Sequence, residues 1–327
     1  MNAWLVRDWC TPEQMQWADL PLPEPGPGQV RVKVAAAALN FLDTLMIGGR
    51  YQERPPLPFA PGVELSGTVD AVGEGAALAA GDRVCGLVPY GAFAQYACVD
   101  AADLVLVPDG VDLEDAAALP VVYGTAHHAL VERGRMQAGE TLLVLAAAGG
   151  VGLATVQLGR ALGLRVLAAA GGPDKRALCL EHGAEQAFDY REPTWAEQVK
   201  AATSGRGVDA VLDPVGGDYT GQALRLLAFG GRLLIVGFAA GAIPEIPANR
   251  LLLKDLSALG VVWGAWRRRN RAAAAEQMAT LFELWRQGAI APLVSECRPL
   301  RDAPQAIADL GARRTTGKVL LIPEDTK

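Results

Sequence analysis

LLVLAAAGGVGLATVQLGRALG, residues Leu142 to Gly163, is the stretch that decides the fold. A short apolar run, Leu142 to Ala146, meets a glycine-rich bend, and an amphipathic helix pattern begins at once. This is the strand, tight turn and helix N-terminus of a dinucleotide-binding βαβ unit. A pyrophosphate has to approach the backbone at such a bend, where N–H groups and the helix dipole meet its charge. Gly149 and Gly152 match the second and third glycines of the fingerprint, and Ala147 stands where the first would be. A glycine-rich loop alone also serves as a plain βα turn. The strand before it and the helix after it supply the context that the nucleotide-binding reading requires.

Outward from this unit the pattern alternates. A helix is expected over Val121–Val131, then strand 142–146, helix 151–162, strand 165–169 and a helix from Pro173 to His182. A short strand near Phe188, a helix from Thr194 to Ala202, strand Val208–Leu212, helix Tyr219–Leu227 and strand Arg232–Val236 continue it. Ser257–Val262 reads as one more strand and Ala272–Arg286 as a long helix. Strand and helix in turn predict an α/β fold, a parallel sheet wound on both faces, over residues 121–289. Residues 1–120 differ: Val30 to Ala35 alternates, proline–glycine breaks surround it, and further short strands lie at Gly67–Ala71 and Arg83–Val88. They predict an irregular β domain, completed by a strand–helix–strand tail over 290–327.

The net charge of -6 and pI near 5.2 argue against a nucleic-acid surface, which needs clustered cations. The one basic run, Arg267-Arg268-Arg269 with Arg271, reads as a solvated helix start. Five scattered cysteines make neither a disulfide framework nor a zinc knuckle and suit a reducing compartment. No basic leader and no membrane-length apolar segment stand out, so a soluble, cytoplasmic protein is expected.

Seven segments in order carry a resemblance. They are NFLD (Asn40–Asp43), PGVE (Pro61–Glu64), GDRV (Gly81–Val84), GAFAQY (Gly91–Tyr96), AAAGGVG (Ala146–Gly152), DPVGG (Asp213–Gly217) and TTGKV (Thr315–Val319). Together the chain resembles the medium-chain dehydrogenase/reductases, in their zinc-free quinone oxidoreductase (zeta-crystallin-like) branch. The resemblance implies a GroES-like catalytic domain, a Rossmann domain and an active site in the cleft between them. It also implies a homodimer, in which the strand from Ser257 to Val262 pairs across a twofold.

Zinc-dependent relatives place a metal where this chain has Asn40, Val63 and Val121, which cannot form a thiolate–imidazole set. Among the three histidines, His127 and His128 are adjacent on one expected helix and His182 lies in the Rossmann half, so no metal site is expected. Taken by themselves, Asn40 suits a turn and Glu64 a buried hydrogen-bonding group; the resemblance implies that Asn40 lines the nicotinamide site. Oxidising an alcohol needs its oxygen stabilised as an alkoxide, the task zinc performs. Without that Lewis acid, hydride delivery favours an acceptor that is already electron-poor. Tyr51, in a stretch resembling the family's substrate-side loop, is the candidate proton donor, with stacking on an apolar ligand as the other reading. Trp263 and Trp266 form either an aromatic wall for a planar acceptor or ordinary core or dimer-interface packing.

The second Rossmann strand decides the cofactor. NAD-preferring folds end it with an acid that binds the ribose 2′-OH. By alignment with the family that place is Ala170, which leaves room for a phosphate, and Lys175 follows as a point charge. The competing reading has Asp174 as a displaced ribose acid and Lys175 facing solvent. The resemblance adds Tyr190 and Arg313 at the phosphate end, and Phe41, Thr125, Gly149, Gly150, Val151, Gly152, Gly171, Val215, Gly237 and Phe238 along the cofactor. NADPH is therefore expected. Three functions remain open at this point: a quinone reductase, a reductase of activated alkenes (enal, enone or enoyl thioester), and a non-catalytic NADPH-binding protein.

Overall fold

Val30, Val32 and Val34 are buried while Lys33 between them is exposed, which is the period of a half-buried strand. In the computed structural model, which describes residues 1–324, this alternation is the centre of strand β3. The chain begins with the antiparallel pair β1 (Asn2–Leu5) and β2 (Gln16–Asp19), followed by β3 (Gln29–Ala38). Helix α1 (Phe41–Ile47) comes next, then β4 (Glu64–Val72), β5 (Arg83–Leu87), β6 (Tyr96–Asp100), β7 (Leu104–Leu106) and the short α2 (Leu113–Ala116). Helix α3 (Pro120–His127) continues into one stretch of π-helix, His128–Arg133.

The alternating part follows: β8 (Thr141–Leu145), α4 (Gly150–Ala161), β9 (Arg165–Ala169), α5 (Pro173–Glu181), β10 (Gln186–Phe188) and α6 (Trp195–Ala202). It runs on through β11 (Val208–Asp213), α7 (Asp218–Leu226), β12 (Leu227–Ile235), α8 (Ala248–Lys254) and β13 (Ser257–Gly260). Helices α9 (Trp263–Arg269) and α10 (Arg271–Arg286) lead to β14 (Val294–Pro299), α11 (Ala303–Gly311) and β15 (Lys318–Ile322).

Backbone contacts divide the chain into two units. The first comprises Met1–Val121, Arg268–Met278 and Pro292–Lys327, and the second Val122–Arg267 and Ala279–Ala291. The first is built on a seven-stranded sheet in the order β14-β15-β3-β4-β5-β7, with β6 also pairing β3. The tail joins it because β15 pairs antiparallel to β3, at Leu320↔Ala38 and Leu321↔Ala37. The second unit holds six parallel strands in the order β10-β9-β8-β11-β12-β13. Every residue of β8 is buried, as a strand covered on both faces requires. From β8 the chain winds outward through β9 to β10 and then crosses to β11 on the other side of β8, so the topological switch point lies at the carboxyl end of β8.

Three expectations change. β12 starts at Leu227 and not at Arg232, because a bulge between Val208↔Leu227 and Ala210↔Arg232 interrupts the periodic pattern at Gly230-Gly231. Arg268, Arg269 and Arg271 are exposed and Arg271 opens α10, but with Arg267 buried the arginine run as a whole is not a solvated helix start. It ends α9, where the i, i+4 spacing puts Arg267 beside Trp263, so Arg267 is buried with its guanidinium carbon 6.0 Å from that ring. Arg268 pairs with Glu53 and Arg271 with Asp100. The strand expected over Ser257–Val262 is the shorter β13, and α8 and α9, neither of them expected, lie on either side of it. All five cysteines are free thiols. Among the described residues no helix is long and apolar enough to cross a membrane.

Candidate functional site

In the first unit Asn40 precedes α1 and its backbone N–H donates to Asp43 Oδ2 at 2.8 Å, closing the turn that starts the helix. The Asn40 amide nitrogen donates to Ala38 O at 3.1 Å and to Glu64 Oε2 at 2.9 Å. Its Oδ1 accepts from Lys318 Nζ at 2.8 Å. The ammonium of Lys318 donates also to Leu39 O (2.8 Å) and Glu64 Oε2 (2.9 Å), and Glu64 Oε1 accepts from Val121 N (2.6 Å). The side chains of Lys318 and Glu64 are 4% and 0% exposed, so this is a dry ion pair. The three places where zinc-dependent relatives hold a metal thus carry two aliphatic residues, one lending only a backbone N–H, and an amide committed to the Lys318–Glu64 pair. Among the described residues no group of three or more His, Cys, Asp or Glu could hold a metal ion.

Asp43 completes the cluster. Burial pushes its carboxyl up to about 7, against the opposing effects of the Asn40 N–H and the Lys318 charge, with Glu64 adding to the rise. Its Oδ1 is buried without a hydrogen-bond partner. Neither Asp43 nor Lys318 is a candidate from the sequence. The only signal is that each closes or nearly closes a family segment, Lys318 immediately ahead of an apolar run. Tyr51 packs half-buried against the same core, and burial first, then Glu53, raises its phenol, with Arg268 opposing.

In the second unit the expected cofactor residues gather at the carboxyl ends of the parallel strands. Ala146 leaves β8 with φ 49°, a left-handed turn, and Gly149 caps α4. A Cβ on Gly152 would stand 2.3 Å from Ala146 O and 2.7 Å from Ala147 Cα, whereas one on Gly149 meets only Ala146 O, at 3.4 Å. Gly152 is therefore needed for helix–bend packing, and Gly149 leaves open space before the N–H groups of a twelve-residue helix. That open cradle fits a pyrophosphate. After β9 come buried Ala170, then Gly171 and Gly172, the latter with φ 96°. Lys175 is the third residue of α5, and Tyr190 follows β10 with its ring edge-on to Tyr219 at 5.0 Å. After β11, Asp213 Oδ1 accepts from the N–H groups of Val215 (2.8 Å) and Gly216 (2.9 Å), which pins that loop. Gly237 and Phe238 follow β12, and a Cβ on Gly216 would meet the Phe238 ring at 2.9 Å. Thr125 lies on α3. Phe41 opens α1 and Arg313 (φ 60°) follows α11, both in the first unit.

The two tryptophans are used unequally. Trp263 is 4% exposed, and a Cβ on Gly124 would come within 2.4 Å of its ring, so α3 carries a glycine where that indole lies. Trp266 is half-buried with its ring 4.7 Å from His128, whose imidazole burial pushes down to about 4.

A six-stranded parallel sheet with a glycine cradle at its switch point is the architecture of a dinucleotide-binding domain, here carried on one chain with an irregular β unit. Residues 26–109 match the alcohol dehydrogenase GroES-like domain and residues 150–280 the zinc-binding dehydrogenase family. Quinone oxidoreductase-like protein 2 of Rattus norvegicus is 40% identical over 285 residues, covering 86% of this chain and 81% of that protein. A mycobacterial protein solved with NADPH superposes with TM-score 0.93 at 35% identity, over 99% of this chain and 100% of the other. The Escherichia coli quinone oxidoreductase solved with NADPH gives 0.92 at 30% identity, again over 99% and 100%. The chain belongs to the medium-chain dehydrogenase/reductases, in the branch of zinc-free quinone oxidoreductases.

Proposed function

We propose that this protein is an NADPH-dependent reductase that delivers a hydride to a planar, electron-poor acceptor, a quinone first of all, without a metal. The observation that carries the reading is the Lys318–Glu64–Asn40 cluster. Where zinc relatives hold a Lewis acid, this chain holds an ammonium already enclosed by three oxygen acceptors. Such a cation cannot take a substrate oxygen as a ligand, so an alcohol gains no alkoxide stabilisation from it. A quinone or conjugated alkene needs only a well-placed hydride, which bound NADPH supplies. The chain's own contribution is binding and orientation. The N–H groups at Gly149–Gly152 receive the pyrophosphate, small Ala170 and Gly171 leave room at the ribose, and Lys175 supplies a charge there. Relatives named quinone oxidoreductase, and two NADPH-bound neighbours, support the acceptor and the cofactor.

The test is NADPH oxidation over quinones, enals, enones and enoyl thioesters, beside NADP⁺ reduction with simple alcohols, before and after chelation. Quinones are expected to turn over fastest and the chelator to change nothing. Faster turnover of an activated alkene would move the reading to that acceptor, and a simple alcohol outrunning all of them would overturn it. Burial first, then Glu53, raises the Tyr51 phenol and makes it a weaker acid, which favours orienting the acceptor over donating a proton to it. Tyr51→Phe is expected to keep most of kcat; a fall of about a hundredfold would make it the proton donor.

A homodimer is part of the same reading. β13 is the edge strand of the parallel sheet, with Leu252 (82% exposed) and Leu253 (73%) just before it and Val262 (58%) just after. An open edge flanked by exposed apolar side chains supports strand pairing with a second copy. Sedimentation equilibrium is expected to return twice the chain mass, and a monomer would remove this part.

A further inference from the structure

Asp189 and Arg191 stand beside the bend that follows β9. Resting on the NADPH reading, we propose that Arg191 recognises the 2′-phosphate of the cofactor and that Asp189 positions it. The guanidinium lies on the glycine pair: a Cβ on Gly171 would come within 3.1 Å of Arg191 Nε, and one on Gly172 within 3.3 Å of Nη2. These two residues directly follow Ala170, where a ribose-binding acid would sit in an NAD-preferring chain. A side chain at either position would be tight against the guanidinium, and Gly172 (φ 96°) also holds a backbone conformation that favours glycine.

Asp189 holds the arginine in place. Its Oδ1 accepts from Arg191 N (3.0 Å) and Nε (2.9 Å), and its Oδ2 from Arg191 Nη2 (2.7 Å) and Gly172 N (2.8 Å). Four donors saturate the carboxylate and hold it well below the usual range. Asp189 is therefore not available to receive a ribose 2′-OH, the role that would favour NADH. Its side chain is 7% exposed and that of Arg191 60%, so the acid faces inward and the cation outward. The Nη1 end of the fork makes no hydrogen bond among the described residues, and a fixed guanidinium edge suits a phosphate. Arg191 also lines a cavity of about 670 Å³ between α6 and α7, walled by Tyr190, Tyr219 and Trp195, so the approach to this edge is open.

A purely structural brace would hold the bend for either cofactor; a phosphate reader acts on one alone. The experiment titrates adenosine 2′,5′-diphosphate and adenosine 5′-diphosphate by calorimetry against wild type, Arg191→Ala and Arg191→Gln. The glutamine keeps an N–H for Asp189 and loses the charge, so it covers the case in which the alanine variant folds poorly. Both variants are expected to lose roughly ten- to a hundredfold in affinity for the 2′,5′-diphosphate, while the 5′-diphosphate changes by about twofold or less. Equal losses for the two ligands, or a retained 2′,5′ preference in both variants, would overturn the role of Arg191 and leave the NADPH reading intact. A wild type that does not discriminate the two ligands would overturn the NADPH reading and this inference together.

Discussion

Lys318→Met is expected to lower the unfolding free energy by about 3–5 kcal/mol at pH 8, the cost of stranding one partner of a buried ion pair. Glu64 keeps its Val121 N–H and Asn40 amide partners in that variant and loses its Lys318 counter-ion. The double variant Lys318→Met with Glu64→Gln removes both charges and is expected to recover roughly half of the loss or more. Denaturant titration of the single and double variants checks this. A Lys318→Met cost under about 1 kcal/mol would show that the pair is not desolvated as the geometry implies.

The pH dependence of that loss follows from Asp43. Its carboxyl is raised to about 7 in the folded state against about 3.9 in an unfolded chain. A raised carboxyl binds protons more tightly in the native state, so its contribution is full below about pH 4 and is lost as pH rises through about 7. The Lys318 charge is one of the groups that opposes this rise. Its removal lets Asp43 climb further, so the penalty of Lys318→Met should be larger at pH 8 than at pH 5.

The bend gives the second large effect. Gly152→Ala puts a Cβ 2.3 Å from Ala146 O, a backbone atom with little freedom to yield. Overpacking of this kind costs about 1–3 kcal/mol, so both thermal stability and cofactor affinity should fall, the latter by up to roughly a hundredfold. Gly149→Ala separates the two contributions, since its Cβ meets only Ala146 O at 3.4 Å and otherwise enters the open cradle. It should leave the melting temperature nearly unchanged and weaken NADPH binding alone, as read by fluorescence titration. If Gly149→Ala binds NADPH as the wild type does, the pyrophosphate does not lie against this bend.

The elements that were legible in advance are those whose reason is local. β8, the glycine bend and α4 follow from one run of about twenty residues, because apolar run, turn and helix periodicity are all short-range properties. The arginine run shows the limit. Its residues look like a solvated surface until α9 brings Arg267 beside the buried Trp263 ring, and no count of charges along the chain foretells that. Gly124 is similar: its lack of a side chain has a purpose only once the indole of Trp263 lies across it.

The chain by itself determined the alternation of strand and helix, the place of the glycine bend and the absence of zinc-type ligands at Asn40, Val63 and Val121. What stands in place of a metal was decided by tertiary structure alone. Asn40 and Lys318 are 278 residues apart and Glu64 and Lys318 are 254 apart, yet all three side chains share one dry pocket. Periodicity reports which face of an element is apolar, whereas the partner of a buried charge depends on which distant strands pair. Here the antiparallel pairing of β15 with β3 carries Lys318 to the start of α1, and the cost of desolvating an ammonium and a carboxylate separately holds the two together.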